Sequence, residues 1–102
     1  MIIYISGKYS GNIDENIALA RKVAIEVWES GGVALTPHLN TAHFEQDCSC
    51  TYGDYMRGDL ELLSKCDAIL MLPGWEDSRG ASRELARARI EMIPEYYYPN
   101  LP

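Results

Sequence analysis

Two carboxylate side chains stand out in this sequence, and the first is Asp59, because its neighbours are apolar. It lies on or beside the apolar stripe that Met56 and Leu63 form on a predicted helix. Carboxylates are rarely buried without a partner, so this position needs an explanation. Asp59 is therefore either a functional group in a pocket or an ion-pair partner of Arg57 or Lys65 at the edge of the stripe.

The second carboxylate, Glu84, lies in the first two turns of a helix predicted to begin near Arg79, where the helix dipole stabilises negative charge. The pattern alone favours a solvated side chain that pairs with Arg83 or Arg87. Two carboxylates that converge on one pocket could instead cleave a glycosidic-type bond. One would act as the nucleophile or charge stabiliser, and the other would handle protons.

The remaining candidates each have a structural explanation as well as a functional one. Ser78 is typical of a helix N-cap, although a helix N-terminus with a hydroxyl can also hold a phosphate. Trp75 is a loop aromatic that could stack on a base or simply pack. Tyr4, on the first predicted strand, is more typical of a core residue. Three glycines permit close approach of the backbone to a ligand: Gly7, Gly11 and Gly80.

Strand and helix patterns alternate along the chain and must position these residues. The first helix is predicted to start at Asn12, with Glu15 completing a capping box, and to end at Gly31. Its predicted apolar face consists of Ile13, Ile17, Ala20, Ala24, Val27 and Trp28. Strands are predicted at 2–6, 33–36, 68–72 and 96–98, and the later helices at 54–65 and 79–92. Residues 37–53 show no clear period, and a loop of that length is more often functional than idle.

This alternation predicts an α/β fold, a small flavodoxin-like or Rossmann-like three-layer sandwich whose helices cover both faces of the sheet. The expected sheet has four parallel strands in the order 2-1-3-4. Ligands bind such sheets beyond the carboxyl ends of the strands, where the strand order reverses. That point lies between the first and third strands, and it brings together residues 6–11, residues 73–80 and the middle loop.

The composition is that of a single globular domain spanning residues 1–102. Hydrophobic residues make up 47% and the formal net charge is −6. An acidic chain without a Lys and Arg cluster disfavours a nucleic-acid polymer as partner, whereas a small phosphorylated ligand needs only one or two local donors. No apolar run approaches the roughly 20 residues of a membrane span, and no signal peptide is evident. We therefore expect a cytoplasmic protein without a membrane partner.

The three cysteines, Cys48, Cys50 and Cys66, are expected to be reduced thiols in that compartment. Cys48 and Cys50 could form a metal cluster with His38 and His43, but this spacing matches no zinc pattern.

Three segments together resemble the nucleoside 2-deoxyribosyltransferase superfamily. They are Tyr4-Ile5-Ser6-Gly7, the run from Asp59 to Asp67 (DLELLSKCD), and the run from Gly74 to Ala81 (GWEDSRGA) followed by Glu84. The resemblance is strongest to an uncharacterised branch of short phage and bacterial proteins. The chain is also similar to the 2′-deoxynucleoside 5′-phosphate N-hydrolases. The resemblance spans nearly the whole chain and keeps the order and spacing of the motifs.

The resemblance implies roles for individual residues. Glu84 would attack C1′ of the deoxyribose to give a covalent glycosyl-enzyme, Asp59 would assist proton transfer or orient the nucleophile, and Tyr4 would lie near it. Gly7 and Ser78 match the family's phosphate or sugar contacts. The full set of expected substrate contacts is Ser6, Gly7, Lys8, Ser10, Gly11, Trp75, Ser78 and Gly80. Ser10 stands nearest to the position where the hydrolases carry a phosphate-binding Arg, and Lys8 could supply a point charge instead.

The function implied is cleavage of the N-glycosidic bond of a deoxynucleoside or its 5′-monophosphate, with no metal or cofactor. Water as the acceptor makes the enzyme a hydrolase, and a second base makes it a transferase. Because family sites are often completed by a neighbouring subunit, a homo-oligomer is expected. Two alternatives stay open: a non-catalytic protein that binds or sequesters a nucleotide or nucleotide-derived signal, and, ranked last, a regulator that binds metal through the middle loop.

Overall fold

The fold is organised around a parallel sheet of four strands. The computed structural model describes all residues, from Met1 to Pro102. The strands are β1 (Ile2–Ser6), β2 (Val33–Leu35), β3 (Ala68–Met71) and β4 (Glu95–Tyr97), in the order β2-β1-β3-β4. In this register, Tyr4 of β1 lies beside Leu35 of β2 and Ile69 of β3. The predicted α/β fold and strand order are therefore confirmed.

Helices cover both faces of this sheet because the central strands are buried on both sides. Helix α1 (Ile13–Glu29) follows β1, α2 (Pro37–Asn40) follows β2, α3 (Tyr52–Leu63) precedes β3, and α4 (Arg79–Ile90) precedes β4. Single 3₁₀ turns lie at Phe44–Gln46 and Trp75–Asp77.

The alternation of side chains along β1 divides the core in two. Ile3 and Ile5 pack in one cluster with the buried face of α1. Tyr4 packs on the opposite face of the sheet, in a second cluster with Leu63 of α3 and Leu85 of α4. Because Ser6 is two residues after Tyr4, it points to the same layer as α3 and α4.

Helix α1 differs from its prediction in two details. Asn12 precedes the helix, but its side chain makes no capping hydrogen bond, so the predicted capping box with Glu15 is absent. Trp28 was expected on the apolar face but is 56% exposed. The buried stripe instead consists of Ala20, Val23, Ala24 and Val27, and Trp28 lies one position beyond it.

The segment from 37 to 53 is more ordered than predicted. It contains α2, which begins at Pro37, and the Phe44–Gln46 turn. Helix α3 begins at Tyr52, two residues earlier than expected, because Thr51 and Asp54 form a capping box. The Thr51 hydroxyl accepts from the Asp54 N–H at 3.2 Å, and the Asp54 carboxylate accepts from the Thr51 N–H at 2.8 Å.

The cysteines also differ from expectation. Cys48 and Cys50 form a disulfide, whereas Cys66 is a free, buried thiol. No three His, Cys, Asp or Glu side chains come together in a way that could hold a metal ion, so the metal cluster considered for the middle loop is not assembled. None of the helices combines the length and apolar character required to cross a membrane.

Candidate active site

A cavity of about 310 Å³ lies beyond the carboxyl end of β1, where the strand order reverses. Its volume is within the range of small-molecule sites. Four parts of the chain line it: the loop after β1, the segment between β2 and α3, the exposed turn before α4, and the facing sides of α3 and α4. The cavity therefore lies where the topology predicts a ligand site.

Helix α4 carries Glu84 into the wall of this cavity. Ser78 caps the helix, since its hydroxyl accepts from the Ala81 N–H at 3.1 Å. The buried face of the helix consists of Ala81, Glu84, Leu85 and Ala88, which follow helical spacing. Glu84 is only 6% exposed because it belongs to this face. Of the two partners considered from sequence, Arg87 is instead paired with Glu91, and Arg83 lies over the ring of Tyr52.

Two hydroxyl groups from β1 hold the Glu84 carboxylate. The Tyr4 hydroxyl donates to Oε2, and the Ser6 hydroxyl donates to Oε1 at 2.6 Å. Tyr4 and Ser6 are both completely buried. They reach the same carboxylate because residues two apart on a strand point to the same face.

Burial dominates the electrostatics of the two carboxyl groups. It raises the pKa of Glu84 to about 7, with a further rise from the negative charge of Asp59, and the hydrogen bonds from Ser6 and Tyr4 oppose this rise. Burial also raises the pKa of Asp59 to about 6. Burial and the adjacent Glu84 charge raise the pKa of Tyr4 well above its usual value, so its phenol remains a donor.

Asp59 reaches the same cavity from α3 and has no ion-pair partner. Arg57, one of the two partners considered from sequence, pairs with Asp54 at 3.2 Å instead. Lys65 forms no salt bridge with any carboxylate. The structure thus brings Asp59 and Glu84 to one cavity, where each has a raised pKa.

The predicted substrate contacts divide into two groups. Those that line the cavity are Gly7, Lys8, Ser10, Ser78 and Gly80. Gly7 must lack a side chain here, because a Cβ atom would lie 2.8 Å from the Cδ1 atom of Leu72.

Three predicted contacts lie outside the cavity lining. Ser6 is completely buried and bonds to Glu84, so no surface is left for a ligand. Trp75 is half-buried, packs beside α4 and lies outside the cavity lining, with its ring centroid 6.1 Å from that of Tyr97. Gly11, with φ of +95°, forms the turn into α1.

Several cavity residues were not singled out from sequence, and Tyr9 is the most connected of them. Its hydroxyl donates to the Glu45 carboxylate at 3.0 Å and accepts from the His43 N–H at 2.9 Å. The loop after β1 is thereby tied to the middle segment. The only signal for Glu45 was its place in the long middle loop.

His38 lines the cavity as a neutral ring. Its Nε2 atom lies 2.9 Å from the Lys8 carbonyl oxygen and must donate to it, so Nδ1 carries no proton. Burial lowers the pKa of His38, which keeps the ring neutral. Tyr55 precedes Asp59 by one helical turn and also lines the cavity.

Two cations lie at the cavity, Lys8 and Arg79, and neither forms an ion pair. Arg79 is the first residue of α4, where helix N–H groups favour anions. The site therefore combines a buried carboxyl group, Glu84, and a half-buried one, Asp59, with a cationic rim.

The fold places this chain with the structures of two glycosyl-transferring enzymes. It is similar to a 2-deoxyribosyltransferase from the psychrotolerant bacterium Bacillus psychrosaccharolyticus, with a TM-score of 0.73, 16% identity, and coverage of 95% of this chain and 71% of that one. It is also similar to a 2-deoxyribosyltransferase from Leishmania mexicana, with a TM-score of 0.71, 20% identity, and coverage of 95% and 63%. At these identities the likeness establishes the fold, and the chain spans less than two-thirds of the second protein.

Residues 1–97 match the family described as a domain of unknown function, DUF4406, and the chain belongs to that family. No curated protein sequence matches it.

Proposed function

We propose that this protein cleaves the N-glycosidic bond of a 2′-deoxynucleoside or its 5′-monophosphate, with Glu84 as the nucleophile. The observation that carries the proposal is the Glu84 carboxylate itself, which is buried at the cavity with one hydroxyl donor on each oxygen. A carboxylate fixed in this way is suited to attack at an anomeric carbon. The fold shared with two 2-deoxyribosyltransferases supports the same chemistry.

The first step forms a bond between Glu84 and C1′ as the bond from C1′ to the base breaks. The electron pair of that bond goes to the base nitrogen, and a proton from the Asp59 carboxyl group follows it, so the base leaves neutral. Asp59 suits this role because burial raises its pKa to about 6, which keeps a protonated fraction near neutral pH.

The second step returns both carboxyl groups to their starting states. An acceptor attacks C1′, gives its proton to the Asp59 carboxylate, and displaces Glu84 with the bonding electron pair. Water as the acceptor gives hydrolysis, and a second base gives transfer. The products distinguish these two outcomes.

The cationic rim supports a phosphorylated substrate. Lys8 and Arg79 have no protein partner, and Arg79 lies at the start of a 12-residue helix. A 5′-phosphate at this rim would place its charge beside both cations and the helix N-terminus. The monophosphate is therefore the preferred form of the substrate in this proposal.

We also propose a homo-oligomer, because apolar side chains are exposed on the segment that borders the cavity. Leu39, Phe44 and Tyr52 are each more than two-fifths exposed. A second copy that covered them would also help to close the site. Light scattering of the purified protein tests this, and a monomer at working concentration would contradict it.

A test of the reaction is incubation with each deoxynucleoside and each 5′-monophosphate, with and without free bases, followed by chromatography. Release of free base is expected from the wild type, and loss of that release from Glu84→Gln. Glu61→Gln makes the same chemical change at an exposed position of α3 and should keep full activity. Undiminished release from Glu84→Gln would refute the assignment.

A binding-only role is the second candidate, and the pKa of Glu84 is the observation that favours it. With a pKa of about 7, a large fraction of Glu84 is protonated at neutral pH and cannot attack. A protein that only sequesters a nucleotide has no need of the ionised form. Intact nucleotide that co-purifies with the protein, without any base release, would support this role.

A further inference from the structure

The Ser6 hydroxyl has a contact that its position in the sequence did not suggest. It is completely buried at the carboxyl end of β1 and donates to Glu84 Oε1 at 2.6 Å. Tyr4 donates to the other carboxylate oxygen from the same face of the strand. Both oxygens are therefore engaged from the sheet side, which fixes the rotation of the carboxylate about its last side-chain bond.

A serine at this position is unusual for the strand that carries it. Central parallel strands are buried on both faces and are normally apolar throughout, as Ile3 and Ile5 are here. A buried hydroxyl is costly unless it is paired. The hydrogen bond to Glu84 satisfies the Ser6 donor, and Ser6 has no exposed surface with which to contact a substrate.

We propose that Ser6 is a positioning residue for Glu84. Its hydroxyl favours the ionised form of the carboxylate and holds it in the orientation for attack on C1′. This inference rests on the proposed function, in which Glu84 is the nucleophile. It replaces the substrate contact that the sequence predicted for Ser6.

The charges around Glu84 show why one hydroxyl matters. Asp59 from α3 adds a negative charge, and Tyr4 from β1 is a neutral donor. No Lys, Arg or His forms an ion pair with Glu84. The ionised form therefore depends on the hydrogen bonds from Tyr4 and Ser6, which act against burial and against Asp59.

The test compares Ser6→Ala, which removes the hydroxyl, with Ser6→Thr, which keeps it. The pKa of Glu84 is measured in each ligand-free protein from the pH dependence of its side-chain carboxyl ¹³C signal, assigned by its absence in Glu84→Gln. Ser6→Ala is expected to raise the pKa of Glu84 by about one unit, whereas Ser6→Thr leaves it near the wild-type value. An unchanged pKa in folded Ser6→Ala would overturn the proposal.

Kinetics give the second measurement. Because the pKa of Glu84 is higher than that of Asp59, Glu84 governs the alkaline limb of kcat/KM, and this limb should move to higher pH in Ser6→Ala. The maximum of kcat/KM should fall, because less of the enzyme then has Glu84 ionised while Asp59 carries the proton, and kcat should fall while KM changes little. If Ser6→Ala does not fold, Ser6→Cys keeps the shape with a weaker donor and should give an intermediate rise in the pKa. A Ser6→Cys protein with the wild-type pKa of Glu84 would then refute the proposal.

The NMR titration requires no turnover, so the two proposals fail separately. A Glu84 pKa that responds to Ser6 in a protein without glycosidase activity would refute the reaction while keeping the contact between Ser6 and the carboxylate. Full glycosidase activity in the wild type, together with a Glu84 pKa that is the same in Ser6→Ala as in wild type, would refute only the role of Ser6.

Discussion

The burial of Glu84 predicts a pH-dependent loss of stability that Glu84→Gln should remove. Burial raises the pKa of this carboxyl group from 4.5 to about 7, so the folded state binds the proton more tightly than the unfolded state does. The resulting stabilisation is fully present below the unfolded-state pKa of 4.5 and is lost as the pH rises through about 7. At about 1.36 kcal/mol per pKa unit, the loss amounts to about 3 kcal/mol.

The prediction concerns a difference between two proteins at two pH values. Gln at this position does not titrate, so the free energy of unfolding of Glu84→Gln lacks this decline. The free energy of unfolding of the variant minus that of wild type should therefore rise by about 3 kcal/mol from about pH 4 to about pH 8. Because the contacts that the amide makes with Tyr4 and Ser6 do not depend on pH, their contribution cancels in this difference.

Urea unfolding followed by circular dichroism, at intervals across that pH range, measures the effect. Glu61→Gln is the control, and it should keep the wild-type dependence of stability on pH. An equal free-energy difference between Glu84→Gln and wild type at both ends of the range would refute the reasoning, since Glu84 would then titrate alike in the folded and unfolded states.

Three further perturbations follow from the site, and one of them has a matched control. Asp59→Asn removes the proton donor and should lower the rate of base release about 100-fold or more while substrate still binds. Steady-state assays measure the rate, and calorimetry measures the binding. A rate close to wild type would contradict the role of Asp59. Gly7→Ala would place its Cβ 2.8 Å from Leu72 and should lower the free energy of unfolding by about 1–3 kcal/mol. Gly58→Ala, at a helical position with open space around it, should raise that free energy by about 0.5–1 kcal/mol, and equal effects in the two urea titrations would disprove this account. Tyr9→Phe removes the hydroxyl that joins the loop after β1 to Glu45 and His43, and it should speed amide hydrogen exchange in residues 37–46. Unchanged exchange would show that these hydrogen bonds do not stabilise the segment.

The sequence was sufficient for the sheet because hydrophobic runs and helix boundaries are local features. The run from Ala68 to Leu72 predicted a strand buried on both faces, and all five residues are buried. Helix α2 escaped prediction because four residues carry no measurable period. The early start of α3 follows from Thr51 and Asp54, which form a capping box at its first turn.

The cavity could be predicted only in part, because side-chain direction after a turn depends on packing. The apolar neighbours of Asp59 pointed to an unusual carboxylate, whereas the pattern around Glu84 favoured a solvated side chain. That expectation was wrong, because Glu84 shares the buried face of α4 with Ala81, Leu85 and Ala88. The residues around Trp75 contain no pattern that shows which way its ring points, and only the structure shows that it packs against Tyr97 of the final strand.

The hydrogen bonds between Glu84 and β1 could be identified only from the folded structure. Tyr4 and Glu84 are 80 residues apart in sequence, and Ser6 and Glu84 are 78 apart. Alternation along β1 shows that Tyr4 and Ser6 share a face, but only the packing of α4 on that face brings the carboxylate to them.

The central claim is that Glu84 becomes covalently linked to the deoxyribosyl group. The most direct measurement is rapid acid quenching of the protein with each 2′-deoxynucleoside and each 5′-monophosphate, followed by mass spectrometry of the intact protein and its peptides. We expect an added deoxyribosyl group, or its 5′-phosphate, on the peptide that contains Glu84, and no addition in Glu84→Gln. Base release at the wild-type rate by Glu84→Gln, with no adduct on the wild-type peptide, would contradict the claim.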